Sequence, residues 1–394
     1  MQEKKVYLDN SATTIVNAEV IKEMEPYFSD IYGNAASIHS FGRQTKKALN
    51  NSREKIASLL NANIDEIFFT GCGTESDNIA IFGIVNTQDT KGHVITTKIE
   101  HHAVLYPCQH LEKNGYSVTY LDVDKDGVIS LNDLKQAIRE DTVLVSVMHA
   151  NNEVGAIQPI EEIGTYLQTI NANRKNKIYF HTDAVQTAGK VCLNVKTLKV
   201  DLLTMSGHKF YAPKGIGVLY VRKGTKIEPI TFGGSQENAL RPGTENIPYV
   251  VGIAKAFDIA NANLEENDKH VLFLREQLKE GIIKKIPEII VNGSGNRAIS
   301  NILNVSFKYI EGEALLVMLD MYGIAASTGS ACAIGFGGGS HVLQAMRVDP
   351  VSAQGAIRFS FGHYNTQDDV DYVLEQLPKT VEKLRLMSPV YKKF

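Results

Sequence analysis

Short apolar runs recur along this chain, and between them lie longer segments in which apolar residues return every three or four positions. The runs at 66–70, 93–97, 117–121, 142–148, 177–182 and 201–205 have strand length, and helical spacing over 101–113, 131–139 and 160–171 fills gaps between them. Strand and helix in alternation predict an α/β fold with a mostly parallel, doubly wound sheet, in which a ligand lies beyond the carboxyl ends of the strands. His101, Asn152, Asp183 and Lys209 each follow such an end, so one ligand would gather all four. Helices are predicted over 18–28 and 41–60, and another strand over 216–222. A helical tract over 248–286 stops at Pro287 and marks a hinge between a large domain (15–262) and a smaller α/β terminal domain (1–14 with 263–394). The smaller unit reads strand 301–307, helix 311–321, strand 324–326, helix 341–346, strand 356–361 and helix 367–386.

With 43% apolar and 22% charged residues in 394, the chain can bury a sizeable core as an ordinary globular protein. A net charge of −3 supplies no basic field for direct nucleic-acid binding. No apolar run approaches the roughly 18 residues of a membrane helix, and the charged start enters a strand, so the sequence reads as cytoplasmic with no membrane partner. Cys72, Cys108, Cys192 and Cys332 are too scattered for a disulfide frame or a zinc site. Cys108 and Cys192 read as packed small hydrophobes.

The chemistry centres on Ser206-Gly-His-Lys209, at the end of a strand and ahead of Pro213, Gly215 and Gly217. An amine attacks a carbonyl only when neutral, and burial encourages a lysine to lose its proton. Ser206 and His208 flank it as donors suited to a phosphate; alone, the motif reads equally as a surface turn. In 70–77 a strand passes through Gly71 and Gly73 into a helix, with Thr74 as the expected N-cap and Asp77 three residues on, a junction whose free N–H groups suit an anion. Asp122 to Asp133 has calcium-loop spacing, but a strand precedes it where a helix is needed, so it reads as a solvated acidic turn, and no metal is expected. Cys332 precedes Gly335, Gly337, Gly338 and Gly339, with Ser340 as the expected cap of the next helix.

Together with Tyr7-Leu-Asp-Asn-Ser-Ala-Thr-Thr14, Thr74-Glu-Ser-Asp-Asn78, Glu100-His101, Asn151-Asn-Glu-Val-Gly155, His181-Thr-Asp-Ala-Val-Gln186, Arg241-Pro-Gly-Thr244 and Ser327-Thr-Gly-Ser-Ala-Cys332, the lysine motif resembles the cysteine desulfurases. These are pyridoxal-phosphate (PLP) enzymes of the class-V aminotransferase family, fold type I, and the likeness runs from Tyr7 to the C-terminal helix. The resemblance implies a seven-stranded main sheet with strand 216–222 antiparallel. It implies that Lys209 carries the cofactor and moves the substrate's α-proton, and that Asp183 pairs with the ring nitrogen. His101 would stack on the ring, shuttle a proton and activate the thiol of Cys332, which takes the sulfur as a persulfide. Gly73, Thr74, Ser206 and His208 would hold the phosphate, with Thr244 reaching it from the partner of a homodimer. Asn152 and Gln186 would meet the ring hydroxyl, and Arg358 the carboxylate of L-cysteine. The sulfur acceptor would be an iron–sulfur scaffold or a tRNA-thiolation enzyme. Two alternatives remain at this point: another PLP reaction such as transamination or selenocysteine cleavage, and a non-catalytic sulfur relay.

Overall fold

The computed structural model describes residues 4–293, 297–328, 339–389 and 391. After a short strand, β1 (Val6–Tyr7), come β2 (Ile67–Thr70), β3 (His93–Thr97), β4 (Ser117–Leu121), β5 (Thr142–Ser146), β6 (Tyr179–Asp183), β7 (Leu202–Ser206) and β8 (Gly217–Val221). These seven form one sheet in the order β2-β8-β7-β6-β5-β3-β4, parallel throughout except that β8 runs antiparallel to both its neighbours. Every residue of β3, β5, β6 and β7 is buried, as expected of strands covered on both faces. Side chains of period two divide between those faces. Leu144, Tyr179 and Leu202 pack with helices Gly73–Val85 and His102–Lys113, while Val145, Phe180 and Leu203 pack on the opposite side. Burial contributes roughly 1.5–3 kcal/mol for each such large apolar side chain.

Sequence order reverses between β3 and β5, so the crevice at their carboxyl ends lies at the switch point of the sheet. A second, antiparallel sheet holds β9 (Ile289–Asn292) and β10 (Ile302–Phe307); β11 (Ile324–Ala325) pairs with β1, and β12 (Ala356–Ser360) completes the order β12-β10-β9. Helices Leu264–Lys285, Gly312–Asp320 and Gln367–Met387 close a separate apolar cluster around Leu278, Val305, Leu315, Phe359 and Val373.

Three expectations change. The 18–28 helix divides into Ala18–Met24 and Pro26–Ser29, because Pro26 has no N–H to continue the ladder. The 248–286 tract is two helices, Ile247–Ala262 and Leu264–Lys285. Asn263 separates them, leaving helical geometry and turning its amide onto the Ile259 carbonyl at 2.8 Å. Cys192 is exposed rather than packed, whereas Cys108 is buried as expected.

Candidate active site

The crevice is a cavity of about 310 Å³, at the small end of the roughly 300–1,000 Å³ typical of ligand clefts. It is lined by ten of the residues given a role by resemblance, Gly73, Thr74, His101, Asn152, Asp183, Gln186, Ser206, His208, Lys209 and Arg358, and also by Cys72 and Asp77. Thr244 is exposed and does not line it. Cys332 lies outside the described residues, but the chain on either side of it is tied to the cavity wall. Ser327 pairs backbone to backbone with Arg358, and Ser340 caps helix His341–Ala345 while donating to Glu153 Oε2 at 2.5 Å.

β7 delivers Lys209 through a tight turn, Gly207–Lys209, in which a side chain at 207 would press on Ala212 and Ile216 at 2.9 and 3.0 Å. Lys209 Nζ donates to the carbonyls of Ser11 and Ala12, each at 2.7 Å. Beside it the His208 ring meets Thr13 Oγ1 at 3.1 Å. Burial, and then the charge of Lys209, bring the His208 pKa down to about 4. The ring is therefore neutral at pH 7 and offers one N–H as a donor.

Helix Gly73–Val85 begins differently from the sequence expectation. Cys72, not Thr74, is the N-cap: its Sγ accepts from Glu75 N at 3.4 Å, while the Glu75 carboxylate takes Gly71 N at 2.6 Å and Arg241 Nε at 2.7 Å. Thr74 is released from capping and sits exposed in the first turn, at the positive end of the helix dipole. Gly73 is close-packed, since a Cβ there would stand 2.8 Å from Val185 Cγ2. Asp77 turns into the core, where burial pushes its pKa up to about 8, and its Oδ1 lies 3.5 Å from His181 Nε2.

Asp183 ends β6 and accepts from Val185 N at 2.8 Å. Burial, reinforced by Asp77, raises it to about 7, so the carboxyl would ionise readily against a cationic partner. His101 caps helix His102–Lys113, its Nδ1 accepting from Ala103 N at 3.1 Å, which leaves the proton on Nε2 in the neutral ring. Burial and then Lys209 hold its pKa near about 4. Gln186 Nε2 donates to the Ser11 carbonyl at 3.0 Å, and Lys190 Nζ donates to its Oε1 at 3.2 Å. Arg358, on β12, pairs with Asp9 at 2.8 Å and donates to the Asn152 carbonyl at 2.8 Å, while its buried Nε has no partner.

The residues fit a phosphorylated aromatic aldehyde. A tight glycine and a helix N-terminus face one part of the cavity, a buried carboxyl another, and three buried polar atoms on its lining residues, Ser11 Oγ, Asp77 Oδ1 and Arg358 Nε, have no hydrogen-bond partner. Within 9–14, Ser11 and Ala12 carry no role that side-chain identity reveals, because they act through their backbone carbonyls. Asp122 lies in an acidic turn as expected, paired with Lys98 at 2.6 Å, and β4 precedes it.

Residues 6–373 match the family model described as Aminotransferase class-V. The chain is 51% identical over 390 residues to cysteine desulfurase IscS of Methanosarcina thermophila, covering 99% of this chain and 95% of that one. It is 48% identical over 387 residues to cysteine desulfurase IscS of Dictyoglomus turgidum, covering 98% and 97%. Among solved structures, a NifS-like protein superposes with a TM-score of 0.90 at 40% identity, covering 97% of this chain and all of that one. A structure of SspA in complex with cysteine reaches 0.80 at 35% identity, covering 92% of this chain and 100% of that one.

Proposed function

The chain belongs to the class-V aminotransferases and, among them, to the cysteine desulfurases, and from that premise we propose which of its residues do the work. It is a PLP-dependent enzyme that converts L-cysteine to L-alanine and passes the sulfur to an acceptor protein. The observation that carries the residue assignment is the convergence of Lys209, Asp183, His101 and Arg358 on one cavity.

PLP, when bound, supplies an electron sink for the charge that develops at the substrate's α-carbon. Lys209 would be the residue that holds it covalently, and its free amine would take the α-proton on Nζ. Asp183 meets the ring nitrogen, where ionisation of its carboxyl is offset by the cationic partner. Gly73, Thr74, Ser206 and His208 hold the phosphate, and Asn152 and Gln186 meet the ring hydroxyl. Arg358 receives the carboxylate of L-cysteine through a planar fork. His101 would lie against the ring and, neutral with its proton on Nε2, offers an N–H donor there, taking up a proton only at Nδ1 if the contact with Ala103 N opens. It is also the candidate activator of the Cys332 thiol, which at its ordinary pKa of about 8.5 is a few per cent thiolate at pH 7. The Cys332 thiolate forms an S–S bond with the substrate sulfur as the C–S bond breaks, and the carbon keeps the electron pair, takes a proton and leaves as alanine.

The homodimer belongs to the same reading. The exposed position of Thr244, next to the Arg241 that grips the phosphate helix through Glu75, supports a partner subunit completing the site. Two apolar clusters support a division into 15–262 and 1–14 with 263–394, although Val342, Leu343, Met346 and Ala356 of the smaller unit pack with the larger core. No described helix is long and apolar enough to cross a membrane, and the reading places the enzyme in the cytoplasm with an iron–sulfur scaffold or a tRNA-thiolation enzyme as acceptor. Purified protein given L-cysteine and a reductant should release alanine and sulfide in equal amounts. A keto acid as the product would instead mean transamination.

A further inference from the structure

Asp9 is the second residue past β1, bridged to Ser360 at the end of β12. Its Oδ1 lies 2.8 Å from Arg358 Nη2. The arginine is 3% exposed and the aspartate 20%, so the pair sits at the inner edge of the cavity with water reaching only the acid. On the other side Arg358 Nη1 donates to the Asn152 carbonyl at 2.8 Å. Two of the three guanidinium nitrogens are thus pinned, which fixes the plane of the group, and the third, Nε, is buried without a partner. A planar donor held from two sides loses little freedom when a carboxylate docks on its remaining edge. The chain then runs on from Asp9 to Ser11 and Ala12, whose carbonyls accept from Lys209. One short strap therefore sets the arginine and the lysine in a common frame.

We infer that Asp9 is a positioning residue for the substrate: it orients Arg358 so that the unpartnered edge of the guanidinium faces the α-carboxylate of the amino acid. The inference rests on the proposed role of Arg358 as carboxylate holder. Asp9 acts here through geometry more than charge, because its own negative charge opposes that of the incoming carboxylate.

The test is steady-state kinetics of the holoenzyme with L-cysteine, alongside cofactor content, thermal stability and the dissociation constant of L-alanine read from the visible spectrum. Asp9→Ala should raise KM and the alanine constant on the order of tenfold, with kcat within about twofold and cofactor content unchanged. Asp9→Asn keeps the acceptor and should recover most of the loss. Asp9→Ser, too short to reach Nη2, gives the same reading should the alanine variant fail to fold. An unchanged KM in Asp9→Ala or Asp9→Ser overturns the inference, as does a fall in kcat and cofactor content with KM unmoved, which would mark a merely structural role. Arg358→Met separates the two layers. If it too leaves KM unchanged, the carboxylate reading itself fails; if it raises KM while the Asp9 variants are silent, only the role of Asp9 fails.

Discussion

Lys209 Nζ donates to the carbonyl oxygen of Ser11 at 2.7 Å, across 198 residues of sequence. The second acceptor, the Ala12 carbonyl, is equally close, so the lysine is aimed into the cavity by the N-terminal strap and not only by its own turn. This makes Lys209 the amine best placed to carry the cofactor. Borohydride reduction of the purified protein should fix the pyridoxyl group on the peptide containing Lys209, and Lys209→Ala should bind the cofactor with no reducible link. A label on Lys214 in the wild type would refute the assignment.

Gly73 is close-packed in the turn proposed to hold the phosphate. Gly73→Ala would drive a Cβ to 2.8 Å from Val185 Cγ2 and 3.3 Å from Ser206 Cβ, moving two walls of the anion site. Cofactor affinity should fall by roughly tenfold or more, as read by titrating apoenzyme with PLP, while thermal stability of the apoenzyme changes little. An unaltered affinity would show that the turn does not touch the phosphate.

Asp183 gives a pH prediction with a definite sign. In the unfolded chain its carboxyl ionises near 3.8, and in the folded apoenzyme, because of burial and then Asp77, near about 7. Between those values the folded state binds the extra proton, so stability falls as pH rises through the window and stays low above it. Asp183→Asn removes that penalty. The variant apoenzyme should be more stable than wild type at pH 8, by up to about 2–4 kcal/mol, with the difference shrinking towards pH 5 in denaturant titrations. The same variant should bind the cofactor more weakly.

The sheet was legible because β5 and β7 are short, mostly apolar runs of strand length alternating with helical spacing, and because Gly207 breaks the chain after β7; the antiparallel β8 followed from resemblance rather than from pattern. Which side chains line the cavity was legible where a residue follows a predicted strand or sits on one, as with Asp183 at the end of β6 or Arg358 on β12. It was not legible where the backbone does it, as at Ser11 and Ala12, nor where a cap could be read two ways. Ser or Thr is the usual N-cap, so Thr74 was expected, yet the thiol of Cys72 takes that place because Glu75 reaches back to Gly71. Asn263 likewise ended a helix that periodicity would have continued.

The central claim is that Cys332 receives the sulfur, and mass spectrometry of the protein after a brief exposure to isotope-labelled L-cysteine tests it most directly. The Cys332 peptide should carry one labelled sulfur atom as a persulfide, and Cys332→Ala should stop alanine release while the cofactor still responds spectrally to L-cysteine. Labelled sulfur on Cys72 or the exposed Cys192 in its place, or full turnover by Cys332→Ala, would contradict the account.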